Sequence, residues 1–355
     1  MKKIKVFLGG YVNMTNAQNL NCLALAKHLD KEKFEVYTLK LYSGNLKDPS
    51  IKGVQLFKCF YPHKVSKYLG YFWGIYKCDI AFLPKGEINA WNQFWLKLLN
   101  RKSFCTVEGI LDEAAMKNAA SHYGSEYKVI QHYKSFKNLY SITSFMRVFN
   151  FKKHNIESQI KILYLGTDIK TFLNTNKKSS ELTNIILIGN DLIRKGVIEY
   201  FKLARSYPNI VFHIVGTGNG KIDVIKELNK LSLTNVNYHG GISHSELVDL
   251  LKKIDLHILP SRSEGFPKVT LETAAAGVPS MVYSYYGAKE WISDHHDGFV
   301  VDTLEEMKQT IQELVEKPDL LQKTSKNAIE LAKSFDWDIL IKDWENVIIS
   351  IDQNN

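Results

Sequence analysis

Short apolar runs alternate with helically spaced stretches through the second half of this chain. Residues 184–188, 210–215, 236–238, 255–259 and 279–283 read as strands, and Pro260 closes the fourth. Over residues 196–206, Ile198, Tyr200, Phe201, Leu203 and Ala204 recur at the spacing of one helix face. Gly216-Thr217-Gly218-Asn219-Gly220 reads as a turn, and a polar helix follows it to about Leu231. Ser243-His244-Ser245-Glu246 has the S-x-x-E spacing of a capping box, in which hydroxyl and carboxylate satisfy the free N–H groups at a helix start. The apolar helix 247–254 comes next, and another helix starts near residues 267–269. Strands of this length alternating with helices mean βαβ units and a parallel sheet.

The first half carries the same rhythm more faintly. Residues 3–8, 34–41, 79–83 and 103–107 read as strands, and 17–29 as an amphipathic helix. Gly9-Gly10 falls after the first strand, where close backbone approach to a ligand and a plain structural turn explain it equally well. Residues 57–77 stand apart, because eight aromatic side chains are interleaved there with Lys58, Lys64, Lys67 and Lys77. Aromatics beside lysines suit ordinary packing or a membrane interface. A hinge is expected near Tyr164-Leu165-Gly166-Thr167-Asp168, before the polar stretch 174–184. No repeat of 20–50 residues shows apart from the two similar halves.

Length and charge sharpen this picture. A chain of 355 residues is comfortable as two cores. Its apolar runs fall far short of the ~18 residues that cross a bilayer, and the N-terminal run is expected to be a strand, not a signal sequence. Cys22, Cys59, Cys78 and Cys105 form no C-x-x-C pair, which argues against zinc and suits a reducing, cytoplasmic setting. The net charge of +9 is uneven: residues 1–175 hold 26 Lys and Arg against 12 Asp and Glu, so +14, and the remainder carries −5. The basic half could face an anionic membrane at its inner surface, or a phosphate-bearing acceptor. A nucleic-acid partner is not expected, since no recognition motif accompanies the charge.

The densest chemistry lies in 261–279, which reads SRSEGFPKVTLETAAAGVP and follows a strand as it opens a helix. Open parallel sheets bind ligands at the carboxyl ends of their strands, and helix N-termini favour phosphate. Glu264 and Glu272 then flank one anion-binding helix end, where a carboxylate can accept from neighbouring hydroxyls of a ribose or hexose. This E-x7-E spacing, with the trailing Ala274-Ala275-Ala276-Gly277-Val278-Pro279, closely resembles retaining glycosyltransferase family 4 of the GT-B fold. Ile188-Gly189-Asn190 through Arg194-Lys195-Gly196 is similar to that family's phosphate-binding segment, 165–172 to its interdomain crossing, and Phe335-Asp336-Trp337 to the start of its returning C-terminal helix.

The resemblance implies an α/β fold of two Rossmann-like domains facing each other across a cleft. Residues 1–168 would bind the acceptor, 169–335 the nucleotide-sugar donor, and 336–355 would form a helix crossing back. It implies that Glu272 holds the donor ribose, Glu264 contacts the sugar and Lys195 neutralises the diphosphate. Arg194, Asn190, Gly265, Phe266, Lys268, Val269, Thr270 and Gly10 complete the expected donor contacts. No cofactor is expected, and no metal motif is in view, so fixed cations and amides would carry the charge of the leaving group. The family usually has Gly-Arg where this chain has Gly189-Asn190, so Arg194 is expected to compensate. Where the first domain often presents His-Gly, this chain has Glu108-Gly109, and Glu108 is expected to contact sugar or acceptor.

Blander readings stand beside these. Gly216-x-Gly218-x-Gly220 is too short for a dinucleotide fingerprint, His257 reads as a core histidine, and His295-His296 as a solvated pair. The implied activity is transfer from a nucleotide-diphosphate sugar, UDP-linked in preference to GDP-linked, to a saccharide or lipid-linked acceptor, as in bacterial surface polysaccharide or glycolipid assembly. The alternatives are a nucleotide-sugar epimerase or phosphorylase of the same fold, or a non-catalytic partner subunit.

Overall fold

The structure is a computed structural model that describes residues 2–14, 16–43, 51–84, 87, 89–174 and 181–353. Residues 175–180 of the polar stretch after the expected hinge lie outside the described residues. The chain divides into two compact units, one of Met1–Leu165 with Trp337–Asn355 and the other of Gly166–Asp336.

In the first unit, β1 (Ile4–Tyr11), β2 (Phe34–Lys40), β3 (Val54–Lys58), β4 (Ile80–Phe82), β5 (Lys102–Val107) and β6 (Leu139–Ser141) form a parallel sheet in the order β3-β2-β1-β4-β5-β6. The first strand continues through Gly9-Gly10 with a shift of register against β2 between Leu8 and Tyr11, where the sequence leaves a turn and close ligand approach equally open. A Cβ on Gly9 would lie 2.9 Å from the Leu83 side chain, and one on Gly10 2.7 Å from Cys22 Sγ. Their carbonyls accept from the Tyr71 hydroxyl at 2.8 Å and the Thr38 hydroxyl at 2.9 Å. Both glycines therefore serve close packing.

The C-terminal helix Trp337–Gln353 belongs to this unit although 171 residues intervene in the second. Trp344 is fully buried, with its ring centroid 5.5 Å from that of Phe82 and 6.4 Å from that of Phe104, and its indole N–H donates to Tyr164 O at 3.1 Å. Asp30 N–H donates to Glu345 at 2.9 Å, which ties the same helix to the turn before β2.

In the second unit, β7 (Asn184–Ile188), β8 (Val211–Val215), β9 (Val236–Gly240), β10 (Leu256–Leu259), β11 (Ser280–Tyr283) and β12 (Phe299–Val301) form another parallel sheet, ordered β12-β11-β10-β7-β8-β9. Strands β7, β10 and β11 are mostly apolar and almost wholly buried because helices cover both faces, whereas the edge strand β9 is part-exposed and carries Asn237 and His239. The capping box at Ser243 and Glu246 forms as read, and it starts the helix His244–Leu251. The fold is α/β throughout the described residues, with a Rossmann-like arrangement in each unit.

Trp344→Ala should cost the first unit about 3–5 kcal/mol, since it opens a cavity between the helix and two strands. Urea unfolding followed by far-UV circular dichroism checks this. A loss below about 1 kcal/mol would mean that the helix is not part of that core.

Candidate active site

The order of the second sheet reverses between β7 and β10, and ligand crevices in open α/β sheets form at such a switch point. The segments that follow these two strands hold the residues singled out from sequence. After β7 the chain turns at Gly189, with φ +155°, and reaches Arg194, Lys195 and Gly196. Glycine is demanded here for two reasons. A Cβ on Gly189 would lie 2.8 Å from the Lys195 side chain, and one on Gly196, at φ +83°, would lie 2.1 Å from Pro260 O. The two segments can meet only because no side chain stands between them.

Where they meet, Glu264 Oε1 lies 2.8 Å from Lys195 Nζ and 2.8 Å from Arg194 Nη1. The Glu264 and Lys195 side chains are 7% and 10% exposed, and Arg194 is 46% exposed. Arg194 also donates to Ser263 O at 3.0 Å. Burial alone would raise the Glu264 carboxyl, but Lys195 and Arg194 overturn that and hold it below the usual carboxylate range. Burial lowers the Lys195 ammonium from its ordinary value, an effect that Glu264 only partly offsets. Arg262 points elsewhere. It pairs with Glu199 at 2.9 Å and stacks its guanidinium on Tyr283 and Tyr285, which anchors the loop.

Glu272 lies in the first turn of the helix Val269–Ala275. Among the described residues its carboxylate has no hydrogen-bonding or ion-pairing partner. Burial raises its pKa, and His244, Lys268 and Lys195 draw it partly back. A carboxylate desolvated in this way, with its lone pairs unspent, is suited to accept from ligand hydroxyls.

Other expected contacts fall differently. Thr270 is buried, and its N–H and hydroxyl both donate to Pro267 O, at 2.9 and 2.8 Å, so its polar groups are spent within the turn. Phe266 packs inward, 4.9 Å from Trp291 and 5.5 Å from Phe335 between ring centroids. Val269 is half-buried against the apolar core, Gly265 continues the loop, and Lys268 precedes the helix. Asn190 is exposed in the segment after β7. Glu108, in the first unit, follows the carboxyl end of β5 and accepts from Thr106 at 3.1 Å and Asn21 at 3.3 Å. His257 is fully buried on β10, bonded to Ser280 at 2.9 Å and pushed down to about 3 by burial, so it is a neutral core group. Among the described residues, no three His, Cys, Asp or Glu converge as a metal site, and all four cysteines are buried and outside any disulfide.

Sequence reading missed Tyr286 and Trp291. Both are buried and stack on each other 6.1 Å apart, and neither Tyr286 Oη nor Trp291 Nε1 has a hydrogen-bond partner among the described residues. Burial raises the Tyr286 hydroxyl well above its usual value, and the nearby Glu264 charge adds to this. In sequence they look like ordinary core aromatics, and only the fold brings Tyr286 within reach of the Glu264 charge. His244 was read solely as part of a helix cap, yet its charge is felt by Glu272.

Residues 168–331 match the family described as glycosyl transferases group 1. A curated relative, the N,N'-diacetylbacillosaminyl-diphospho-undecaprenol alpha-1,3-N-acetylgalactosaminyltransferase of Campylobacter jejuni, is 30% identical over 186 residues, which are 52% of this chain and 47% of that protein. The match thus spans about half the length of the relative. Among solved structures, sucrose-phosphate synthase from Thermosynechococcus elongatus superposes with a TM-score of 0.78 at 14% identity, covering 98% of this chain and 99% of that one. Anabaena HepE in complex with UDP and glucose gives 0.75 at 16% identity, covering 98% and 100%. The fold is therefore GT-B, and the second unit carries the segment similar to group 1 glycosyltransferases.

Lys195→Met should destabilise the protein by about 3–5 kcal/mol at neutral pH, because it strands a buried carboxylate with one half-exposed partner. The paired Glu264 has a lowered folded-state pKa, so its stabilisation is present above the unfolded value and is lost as pH falls through the folded one. The gap between wild type and variant should accordingly shrink below about pH 4. Denaturant midpoints across pH test this, and a gap that stays constant would contradict the pairing.

Proposed function

We propose that this chain is a metal-independent, retaining glycosyltransferase of the family 4 type, which moves a sugar from a nucleotide-diphosphate donor to a saccharide or lipid-linked acceptor. The observation that carries this reading is the switch-point cluster, in which two cations close on Glu264 beside the unspent carboxylate of Glu272. Glu272 would accept from the donor ribose, and Glu264 would contact the sugar. As the sugar leaves, negative charge grows on the nucleotide diphosphate, and preorganised cations stabilise that charge without reorganising. Lys195 is held in place by burial. Arg194 is half-exposed, so it is the cation free to swing onto the diphosphate and replace the arginine that Asn190 lacks. The second unit would thus bind the donor and the first the acceptor, with Glu108 at the carboxyl end of β5 in reach of sugar or acceptor.

UDP is the favoured nucleotide, with GDP next. UDP in the HepE complex supports this, and the diphospho-undecaprenol in the name of the Campylobacter relative supports a lipid-linked acceptor. The work would be surface polysaccharide or glycolipid assembly at the cytoplasmic face of a membrane, with peripheral contact through the basic first unit.

Thermal-shift measurements against UDP, GDP and ADP in the presence of EDTA test the reading. One nucleotide should raise the melting temperature, since a ligand at 100 times its Kd adds about 2.7 kcal/mol, and Glu272→Ala should abolish the shift. No shift with any nucleotide would overturn it. Affinity should also weaken as pH falls through the raised pKa of Glu272, because a protonated carboxyl accepts less well from ribose hydroxyls.

Arg194→Ala should lower turnover of the sugar nucleotide by about a hundredfold, the scale of losing one transition-state donor, with a much smaller change in KM. Steady-state kinetics decide this, and unchanged turnover would remove Arg194 from the charge role.

A further inference from the structure

The helix His63–Lys77 is built inside out. Its buried face carries Ser66, Gly70, Tyr71, Gly74 and Ile75. The glycines bring it hard against the sheet: a Cβ on Gly74 would lie 2.3 Å from the Phe7 ring, and one on Gly70 3.0 Å from Phe57 and Leu39. The opposite face is apolar and solvent-exposed. Val65, Tyr68, Leu69 and Tyr76 fall on one helical stripe and are 44–52% exposed. The neighbouring helix Ala90–Leu98 repeats the arrangement, with Trp91, Phe94 and Leu98 at i, i+3 and i+7 and 40–62% exposed. Tyr68 and Trp91 meet edge to face at 5.5 Å, so the two stripes form one patch. A surface helix normally turns its polar side to water, and a contiguous exposed apolar patch marks a surface that binds something.

Charge indicates what that is. Residues 51–101 contain eight Lys and Arg against two acids. Both acids are already paired, Asp79 with Arg101 at 3.7 Å and Glu87 with Lys67 at 2.8 Å. Lys58, Lys64, Lys77 and Lys97 are exposed and form no ion pair among the described residues. A second copy of this chain would bring the same surplus of positive charge face to face, which is unfavourable. An anionic bilayer satisfies both features at once. Tyrosine and tryptophan sit at the headgroup level, leucine and phenylalanine reach the acyl boundary, and lysines extend to the phosphates.

We propose that the outward faces of the helices His63–Lys77 and Ala90–Leu98 together dock this protein on the surface of an anionic lipid bilayer. The inference deepens the peripheral placement proposed above by naming its surface, and it does not depend on the donor pocket of the second unit. Vesicle co-sedimentation of the full chain tests it, using phosphatidylcholine alone and phosphatidylcholine mixed with phosphatidylglycerol. The wild type should bind the mixed vesicles at least roughly tenfold better, and binding should weaken as salt rises toward 1 M. Trp91→Ser with Phe94→Ser, both exposed, should cut that binding at least roughly tenfold at unchanged melting temperature. Lys58→Glu with Lys64→Glu and Lys97→Glu should remove the preference for the anionic lipid.

Failure of the wild type to sediment with either vesicle overturns the proposal, as does full binding by both variants. Concentration-dependent dimerisation that Trp91→Ser with Phe94→Ser dissolves would also overturn it, by assigning the patch to a second copy. Nucleotide-induced thermal shifts on the same variants keep the two readings apart. Loss of vesicle binding with the nucleotide shift intact separates the patch from the donor site, and vesicle binding without any nucleotide shift in the wild type would sink the transferase reading alone.

Discussion

One buried carboxylate between two cations governs the second unit. Glu264 sits where solvent is nearly excluded, and a charge there is tolerated only if it is paired. Lys195 supplies the pair from the segment after β7, and Glu264 itself comes from the segment after β10, so the ion pair spans the switch point of the sheet. The surrounding backbone is shaped to permit this. Gly189 leaves space for the lysine stem and Gly196 for the Pro260 carbonyl. Gly216 lets the turn after β8 lie against Gly189, whose carbonyl a Cβ there would approach to 2.0 Å. Three glycines with positive φ around one ion pair cost folding extra conformational entropy, a cost that goes with holding the ion pair in one geometry.

Much of this unit was legible because its signals are local. Strands buried on both faces read as uninterrupted apolar runs, and the Ser243–Glu246 box depends only on a three-residue spacing. The Glu264–Glu272 motif was legible for the same reason, since its residues lie on one loop and the short helix that follows it. What sequence reading lost was set by tertiary packing. Gly9-Gly10 reads equally as a turn or as a close approach to ligand, and the closeness of Leu83 and Cys22, distant in sequence or on a following helix, is not visible there. Thr270 looks like a ligand group until its hydroxyl and N–H are seen bonded to Pro267. The partnering of Glu264 with Lys195 joins residues 69 apart, and no spacing announces it. Strand β6 and the helices Glu113–Tyr123 and Ser144–His154 went unread as well.

The first unit shows how a bulk charge can mislead about a site. Its half of the chain is strongly basic and the other half is net acidic, yet the two cations that close on Glu264 are in the acidic half. Net charge averages over lysines that water and salt screen within about 10 Å. A buried Lys195 is screened far less, so one such residue outweighs many exposed ones in the chemistry of a pocket. The surplus lysines act instead where they are exposed, around a helix that hides glycine and displays tyrosine.

Tyr286 and Trp291 extend the same logic. A buried hydroxyl or indole N–H without a partner costs about 1–3 kcal/mol; Tyr286 and Trp291 stack on each other with one such group each, and Tyr286 feels the Glu264 charge. Glu264 is now held from one side, by Lys195 and Arg194. If Arg194 turns to a diphosphate, the carboxylate loses one of two counter-charges while remaining buried, and burial would then push its pKa upward. A neutral donor beside it would blunt that rise without competing for the phosphate, which another cation would do. Tyr286 has the position, the unspent hydroxyl and the lack of charge that this requires.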